Sequence, residues 1–147
     1  MQSVALHPNI VTLLGACPDP RAVDARGKHI GVGLMLEHAN QGSLYELLRR
    51  VAGPELTWPA RVSLLLDVSN GMAALHAQLP PIIHRDLKSP NVLVFGAGGG
   101  LIAKISDFGL AHTLATTTAG KTKTKGAGSS PWMSPEVYDG HYSEVSD

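Results

Sequence analysis

This sequence has no excess charge of either sign. Its 147 residues carry 12 Lys plus Arg and 12 Asp plus Glu, a formal net charge of zero. No one-signed field therefore argues for nucleic acid or an anionic membrane as a partner. Cysteine is almost missing: Cys17 stands alone, which excludes an internal disulfide and fits a reducing, cytoplasmic setting. A lone cysteine of this kind is expected to act as a small buried apolar residue. No apolar run approaches the roughly 18 residues that suggest a membrane span. No basic-then-apolar leader pattern opens the chain. What is present is globular in composition, 44% hydrophobic and 16% charged, and long enough to bury a core as one domain.

Local patterns divide the chain. Pro8 stops any helix arriving from the N-terminal side, and the β-branched run Ile10 to Gly15 predicts a strand. Cys17 to Lys28 is polar and turn-like, and His29 to Glu37 predicts a second strand. Ser43 and Glu46 form a capping box that opens a helix running to about Val51, with Gly53-Pro54 as its stop. Thr57 opens a second helix, with Pro59 tolerated in its first turn. That helix is apolar nearly all round, which predicts burial on every side, and it ends before Pro80-Pro81. His76 on it reads as a core or cap histidine. Ile82-Ile83 makes a short strand. Val92 to Phe95 and Leu101 to Ile105 predict a hairpin. The linking run Gly96 to Gly100 does not satisfy G-x-G-x-x-G, because Leu101 holds its last place, and no helical pattern follows, so it reads as a turn. Leu110 to Gly128 is rich in Thr, Ala, Gly and Lys and too poor in apolar surface to be a core element. Its lysines, Lys121, Lys123 and Lys125, read as part of a solvated loop.

Chemistry concentrates in His84-Arg85-Asp86-Leu87-Lys88-Ser89-Pro90-Asn91 and in Asp107-Phe108-Gly109, sixteen residues beyond Asn91. Transfer of a phosphoryl group needs an acceptor for a hydroxyl proton, a cation beside the moving group and oxygen ligands for magnesium. Asp86, Lys88, and Asn91 with Asp107 can supply these in that order. Taken singly, such residues are ordinary in a surface loop.

Together they resemble the eukaryotic protein kinase family, with H-R-D-L-x-x-x-N complete and D-F-G in the expected order. The resemblance extends over nearly the whole chain, through H-P-N-I-V, the hinge-like Leu36-Glu37-His38-Ala39 and W-M-S-P-E at 132–136. The wording is most similar to the tyrosine-kinase-like branch, whose members mostly phosphorylate Ser or Thr. It implies an α+β, protein-kinase-like fold in truncated form: residues 1–36 a small-lobe remnant, 37–42 the hinge, and 43–147 the N-terminal half of the large lobe. It implies ATP and Mg2+ as cofactors and a protein bearing Ser or Thr hydroxyls as substrate. Asp86 and Lys88 would be catalytic. Glu37 C=O and Ala39 N–H would meet adenine above Leu93, with Leu36 as gatekeeper, and Asn91 and Asp107 would hold metal. Arg85, Phe108, His84 and Ser129 would be regulatory, with His84, Phe108 and Leu13 stacked in one column. A pseudokinase that binds nucleotide or a partner without turnover is the rival implication.

The resemblance also implies what these residues do not contain. No G-x-G-x-x-G-x-V loop, V-A-I-K lysine or partner glutamate precedes His7, and the 147 residues alone are expected to transfer phosphoryl poorly. Glu136 resembles a residue that pairs with an arginine further along the large lobe, so it is expected to lack compensation here. The small-lobe strands are expected to leave open edges, and Tyr142 to Asp147 to begin a large central helix.

Overall fold

The computed structural model describes residues 6–19, 21, 23, 27, 31–50, 56–107, 112–113, 130–139 and 143–147. Its centre is a β-hairpin of β4 (Val92–Ala97) and β5 (Gly100–Ile105). The strands pair antiparallel from Val92 opposite Ile105 to Ala97 opposite Gly100. Gly98 and Gly99 close the turn with φ of +57° and +85°, the left-handed values that a two-residue hairpin turn demands. The glycine run is thus a turn, as its sequence implies.

Alternation sorts the hairpin into two faces. Val92, Val94, Ala103 and Ile105 are buried against α2 (Trp58–His76). The opposite face carries the cross-strand pairs Leu93 with Lys104 and Phe95 with Ile102. Both outer edges of the hairpin are occupied. On β5, Val11 N–H donates to Ile105 C=O and Ile105 N–H to Asn9 C=O, each at 2.9 Å. On β4, Gln41 N–H donates to Val94 C=O at 3.1 Å and Val94 N–H to Gly42 C=O at 2.8 Å.

The helices start where side chains satisfy the first free N–H groups. In α1 (Leu44–Arg50) the capping box forms in both directions: Glu46 N–H donates to Ser43 Oγ at 3.2 Å and Ser43 N–H to Glu46 Oε2 at 2.8 Å. Thr57 caps α2, and Pro59 lies in its first turn. The expectation that α2 is buried all round is corrected. Leu64, Gly71, Met72 and Leu75 are buried, whereas Val62, Leu65 and Leu66 are 50–65% exposed. Only one face of α2 meets the hairpin, and among the described residues nothing covers the other. Gly71 marks the closest approach, since a Cβ there would lie 2.6 Å from Asn9 O and 2.8 Å from Ile105 Cδ1.

The first strands also differ in place. β1 is Leu13–Pro18 and pairs antiparallel with β2, Val32–Leu36. Ile10 lies outside β1 and bridges Ile105 instead, because its side chain belongs to the core beside Met72 and Leu75. Cys17, expected inside, is exposed, as are Leu13, Leu14, Leu34 and Met35. The β1–β2 ribbon carries apolar side chains that no described segment covers. β3 (Ile82–Ile83) pairs with β6 (His112–Thr113), and α3 is Pro135–Tyr138. The central helix expected from Tyr142 is a single 3-10 turn, Glu144–Ser146, with Ser143 and Ser146 exchanging capping bonds. Phe108, Gly109, Ser129, Tyr142, Lys28, Gly53-Pro54 and the 114–128 run lie outside the described residues.

Candidate active site

The segment 84–91 folds around a carboxylate 62 residues further on. Asp147 accepts from His84 N–H through Oδ2 and from Arg85 N–H through Oδ1, each at 2.7 Å. It also contacts His76 Nε2 at 3.0 Å. These bonds hold Arg85 at φ +71°, a left-handed value that is costly for a side chain with a Cβ. The turn it makes brings Asp86 back over His84. His84 is fully buried. Its Nε2 lies 2.9 Å from Ser106 C=O, and Asp86 N–H approaches Nδ1 at 3.3 Å. A carbonyl can only accept, so the neutral Nε2–H tautomer satisfies both contacts.

Asp86 sits in a short network. Lys88 Nζ is 2.6 Å from Asp86 Oδ2, and Asn91 Nδ2 donates to the same oxygen at 3.0 Å and to Asp86 C=O at 2.9 Å. Both charged side chains are largely buried, with 18% and 11% of their surface exposed, so the pair is little screened. Pro90 helps start the 3-10 turn Ser89–Asn91 that swings Asn91 back towards Asp86. The amide nitrogen of Asn91 is engaged by Asp86, which leaves its oxygen as the atom able to bind a cation.

Ser106 joins the two motifs. Its N–H and its hydroxyl both donate to Asn91 C=O, at 2.9 and 3.0 Å. Asp107 follows directly, exposed and at φ +61°. The backbone thus places Asp107 beside Asn91. An amide oxygen and a carboxylate are the hard donors that suit Mg2+, which keeps several ligands from water or phosphate.

The 37–42 crossover lies on the Leu93 face of the hairpin. Glu37 N–H donates to Thr12 C=O at 3.1 Å, while Thr12 N–H donates to Glu37 Oε1 at 2.7 Å. Lys104 Nζ reaches both carboxylate oxygens of Glu37, at 2.9 and 2.8 Å. Burial pushes the Glu37 carboxyl up, but the bonds from Lys104 and Thr12 outweigh it and hold the group below its ordinary value. Among the described residues, neither Glu37 C=O nor Ala39 N–H takes part in a backbone hydrogen bond. Beside Asp86 a cavity of about 280 Å3 opens between Arg85–Leu87 and Pro131–Ser134.

Glu136, expected to lack compensation, is corrected by its surroundings. Its own N–H and then the hydroxyls of Ser134 and Ser146 hold its carboxyl below the ordinary range. Leu13 of the expected column is 54% exposed while His84 is buried. The anchoring carboxylate of Asp147 and the side chain of Glu37 were not foreseen as site residues. Glu37 was read for its carbonyl alone.

Asp86, Lys88 and Asn91 thus meet in one network, and Ser106 ties the backbone leading into Asp107 to Asn91. The chain belongs to the protein tyrosine and serine/threonine kinase family, whose sequence model matches residues 1–147. It is 42% identical over 144 residues to human mitogen-activated protein kinase kinase kinase 7, covering 96% of this chain and 21% of that protein. It is 39% identical over 133 residues to a probable serine/threonine-protein kinase, pats1, of Dictyostelium discoideum, covering 89% of this chain and 4% of that protein. It is also 39% identical over 132 residues to serine/threonine-protein kinase CTR1 of Arabidopsis thaliana, covering 89% and 14%. The chain therefore spans no more than about a fifth of these relatives' lengths. No described helix is long and apolar enough to cross a membrane.

Proposed function

We propose that the protein carrying this chain transfers the γ-phosphoryl group of ATP to Ser or Thr hydroxyls of proteins. The observation that carries the proposal is the Lys88–Asp86–Asn91 network, with Asp107 placed alongside Asn91 through Ser106. Relatives named serine/threonine kinases support the acceptor class.

In this reading Asp86 accepts a hydrogen bond from the substrate hydroxyl and aims its lone pair at phosphorus. Lys88 offsets charge that develops on the moving group. Asn91 Oδ1 and the Asp107 carboxylate hold Mg2+, which when bound neutralises phosphate charge. Glu37 C=O and Ala39 N–H receive adenine over Leu93. The cavity beside Asp86 admits the acceptor chain. His84 positions Asp86 through its ring Nδ1, which accepts from Asp86 N–H, and a phosphate on the 110–131 segment is the proposed ligand of Arg85. Residues 1–36, 37–42 and 43–147 act as small-lobe part, hinge and large-lobe part.

The test is Asp86→Asn in the protein that carries this chain, with transfer of labelled phosphate to a protein acceptor as the readout. A fall of about 10²–10⁴-fold, the worth of a positioned general base, is the expected result. An unchanged rate overturns the proposal.

A further inference from the structure

We infer that Asn40 is a positioning residue for the adenine end of the nucleotide, through a side-chain extension of the sheet that carries Leu93. The inference rests on the nucleotide reading of the 37–42 crossover. The outer edge of β4 takes up Gln41 and Gly42 by two backbone bonds, at 3.1 and 2.8 Å, and an antiparallel bridge joins Ser43 to Leu93. One residue earlier the backbone leaves the sheet, and a side chain continues the ladder. Asn40 Nδ2 donates to Gly96 C=O at 3.1 Å, and Gly96 N–H donates to Asn40 Oδ1 at 2.7 Å. The amide stands in for one peptide unit of a third strand, offering a donor and an acceptor in matched order.

Asn40 directly follows Ala39, whose N–H is the proposed adenine partner. A third strand held by two backbone bonds is weakly fixed in register, and a one-residue slip moves the chain about 3.3 Å. Hydrogen bonds to a base edge tolerate only a few tenths of an ångström. The Asn40 amide resists the slip, because its donor and acceptor match Gly96 in one register alone. Close contact on the same edge supports this reading: a Cβ on Gly96 would lie 3.1 Å from Gln41 Nε2, and Arg50 Nη2 holds Gln41 Oε1 at 3.1 Å. The adenine-binding backbone is thereby fixed relative to Leu93, which lowers the ordering cost of binding.

The experiment is an NMR titration of the protein that carries this chain, wild type and Asn40→Ala, with MgATP and separately with magnesium tripolyphosphate. Asn40 is exposed and belongs to neither hydrophobic cluster; a thermal melt of each variant checks that the fold is kept. The expected result is an Ala39 amide shift with MgATP in the wild type and about tenfold weaker MgATP binding in Asn40→Ala. Tripolyphosphate binding should be equal in both. Asn40→Asp, which sets a carboxylate against Gly96 C=O, should weaken MgATP at least as much. Equal MgATP affinity in wild type and Asn40→Ala overturns the inference alone, as does a parallel loss of tripolyphosphate binding. A wild type that binds tripolyphosphate as tightly as ATP, with no Ala39 shift, overturns the adenine reading and this inference with it.

Discussion

Asp147 grips Arg85 by its backbone, with Oδ1 2.7 Å from an N–H whose residue sits at φ +71°. A left-handed arginine costs of the order of 1–3 kcal/mol and persists only where its surroundings impose it. The other oxygen takes His84 N–H, so one side chain sets the entry into the 84–91 segment. Asp147→Ala leaves two N–H groups without this partner and removes the restraint on Arg85. A loss of about 3 kcal/mol is expected, since hydrogen bonds to charged groups contribute about 1.5–3 kcal/mol each and the freed backbone recovers part of that. Asp147→Asn keeps one acceptor and should lose roughly half as much. Urea unfolding of the three proteins at neutral pH checks both, and equal midpoints would show that Arg85 holds its conformation unaided.

The Glu37–Lys104 pair predicts a pH dependence. The folded pKa of Glu37 lies below its ordinary 4.5. On acidification the unfolded chain therefore takes up the proton first. The stabilisation is fully present above about 4.5 and is lost as pH falls through the lower folded value. Glu46 and Glu136 are shifted in the same direction, so the acid limb of wild type alone cannot be assigned to one group. Glu37→Gln isolates the difference. Its urea midpoint should fall below that of wild type at pH 7, and the gap should narrow as pH falls below about 4.5. A gap that is constant from pH 7 to pH 3 would show that the ion pair contributes nothing that titrates.

Elements whose cause is local were legible in the sequence. The capping box at Ser43 and Glu46, the Thr57 cap and the glycine turn each depend on neighbours within four residues, and each stands where its pattern places it. The order of Asp86, Lys88 and Asn91 is itself a sequence signal, and those three side chains meet in one network. What escaped depends on partners remote in sequence. Leu65 and Leu64 are both apolar residues on α2, and only the position of the hairpin decides which is buried. Ser146-Asp147 fits the family order in the sequence, but the grip of its carboxylate on the N–H groups of residues 84 and 85 is not legible there. The Glu37 side chain is silent in the same way, since Lys104 is 67 residues away.

Gly71 supplies a test of the packing beneath the site. In an exposed helix interior Gly→Ala gains up to about 1 kcal/mol from propensity. Here the added Cβ meets Asn9 O at 2.6 Å and Ile105 Cδ1 at 2.8 Å. The Asn9 carbonyl cannot retreat freely, because it accepts Ile105 N–H and Asn9 is buried. Overpacking of this kind costs about 1–3 kcal/mol. The expected outcome is a net loss of about 1–2 kcal/mol, read as a lowered thermal midpoint. A raised midpoint would mean that α2 shifts off β5 without cost.

Asn91 is argued to act at both ends of one amide. Its nitrogen donates to Asp86 Oδ2 and Asp86 C=O, while its oxygen is assigned to Mg2+. The two roles separate kinetically. If Asn91 served metal alone, Asn91→Ala would weaken Mg2+ and excess Mg2+ would restore the rate. If it also fixes the aspartate, a deficit must remain at saturating Mg2+, because a carboxylate free to turn loses its aim at the hydroxyl and misplacement by about 1 Å can cost 10²-fold. The expected profile for Asn91→Ala in the protein that carries this chain is a higher Mg2+ requirement plus a plateau reduced by about 10–100-fold. Asn91→Asp sharpens the comparison. It restores a metal-binding oxygen but sets a second carboxylate 3.0 Å from Asp86 Oδ2, where one of the two must hold a proton or move away. Its Mg2+ requirement should approach that of wild type while its plateau stays low. A plateau equal to wild type in either variant would remove the positioning role and leave Asn91 as a metal ligand only.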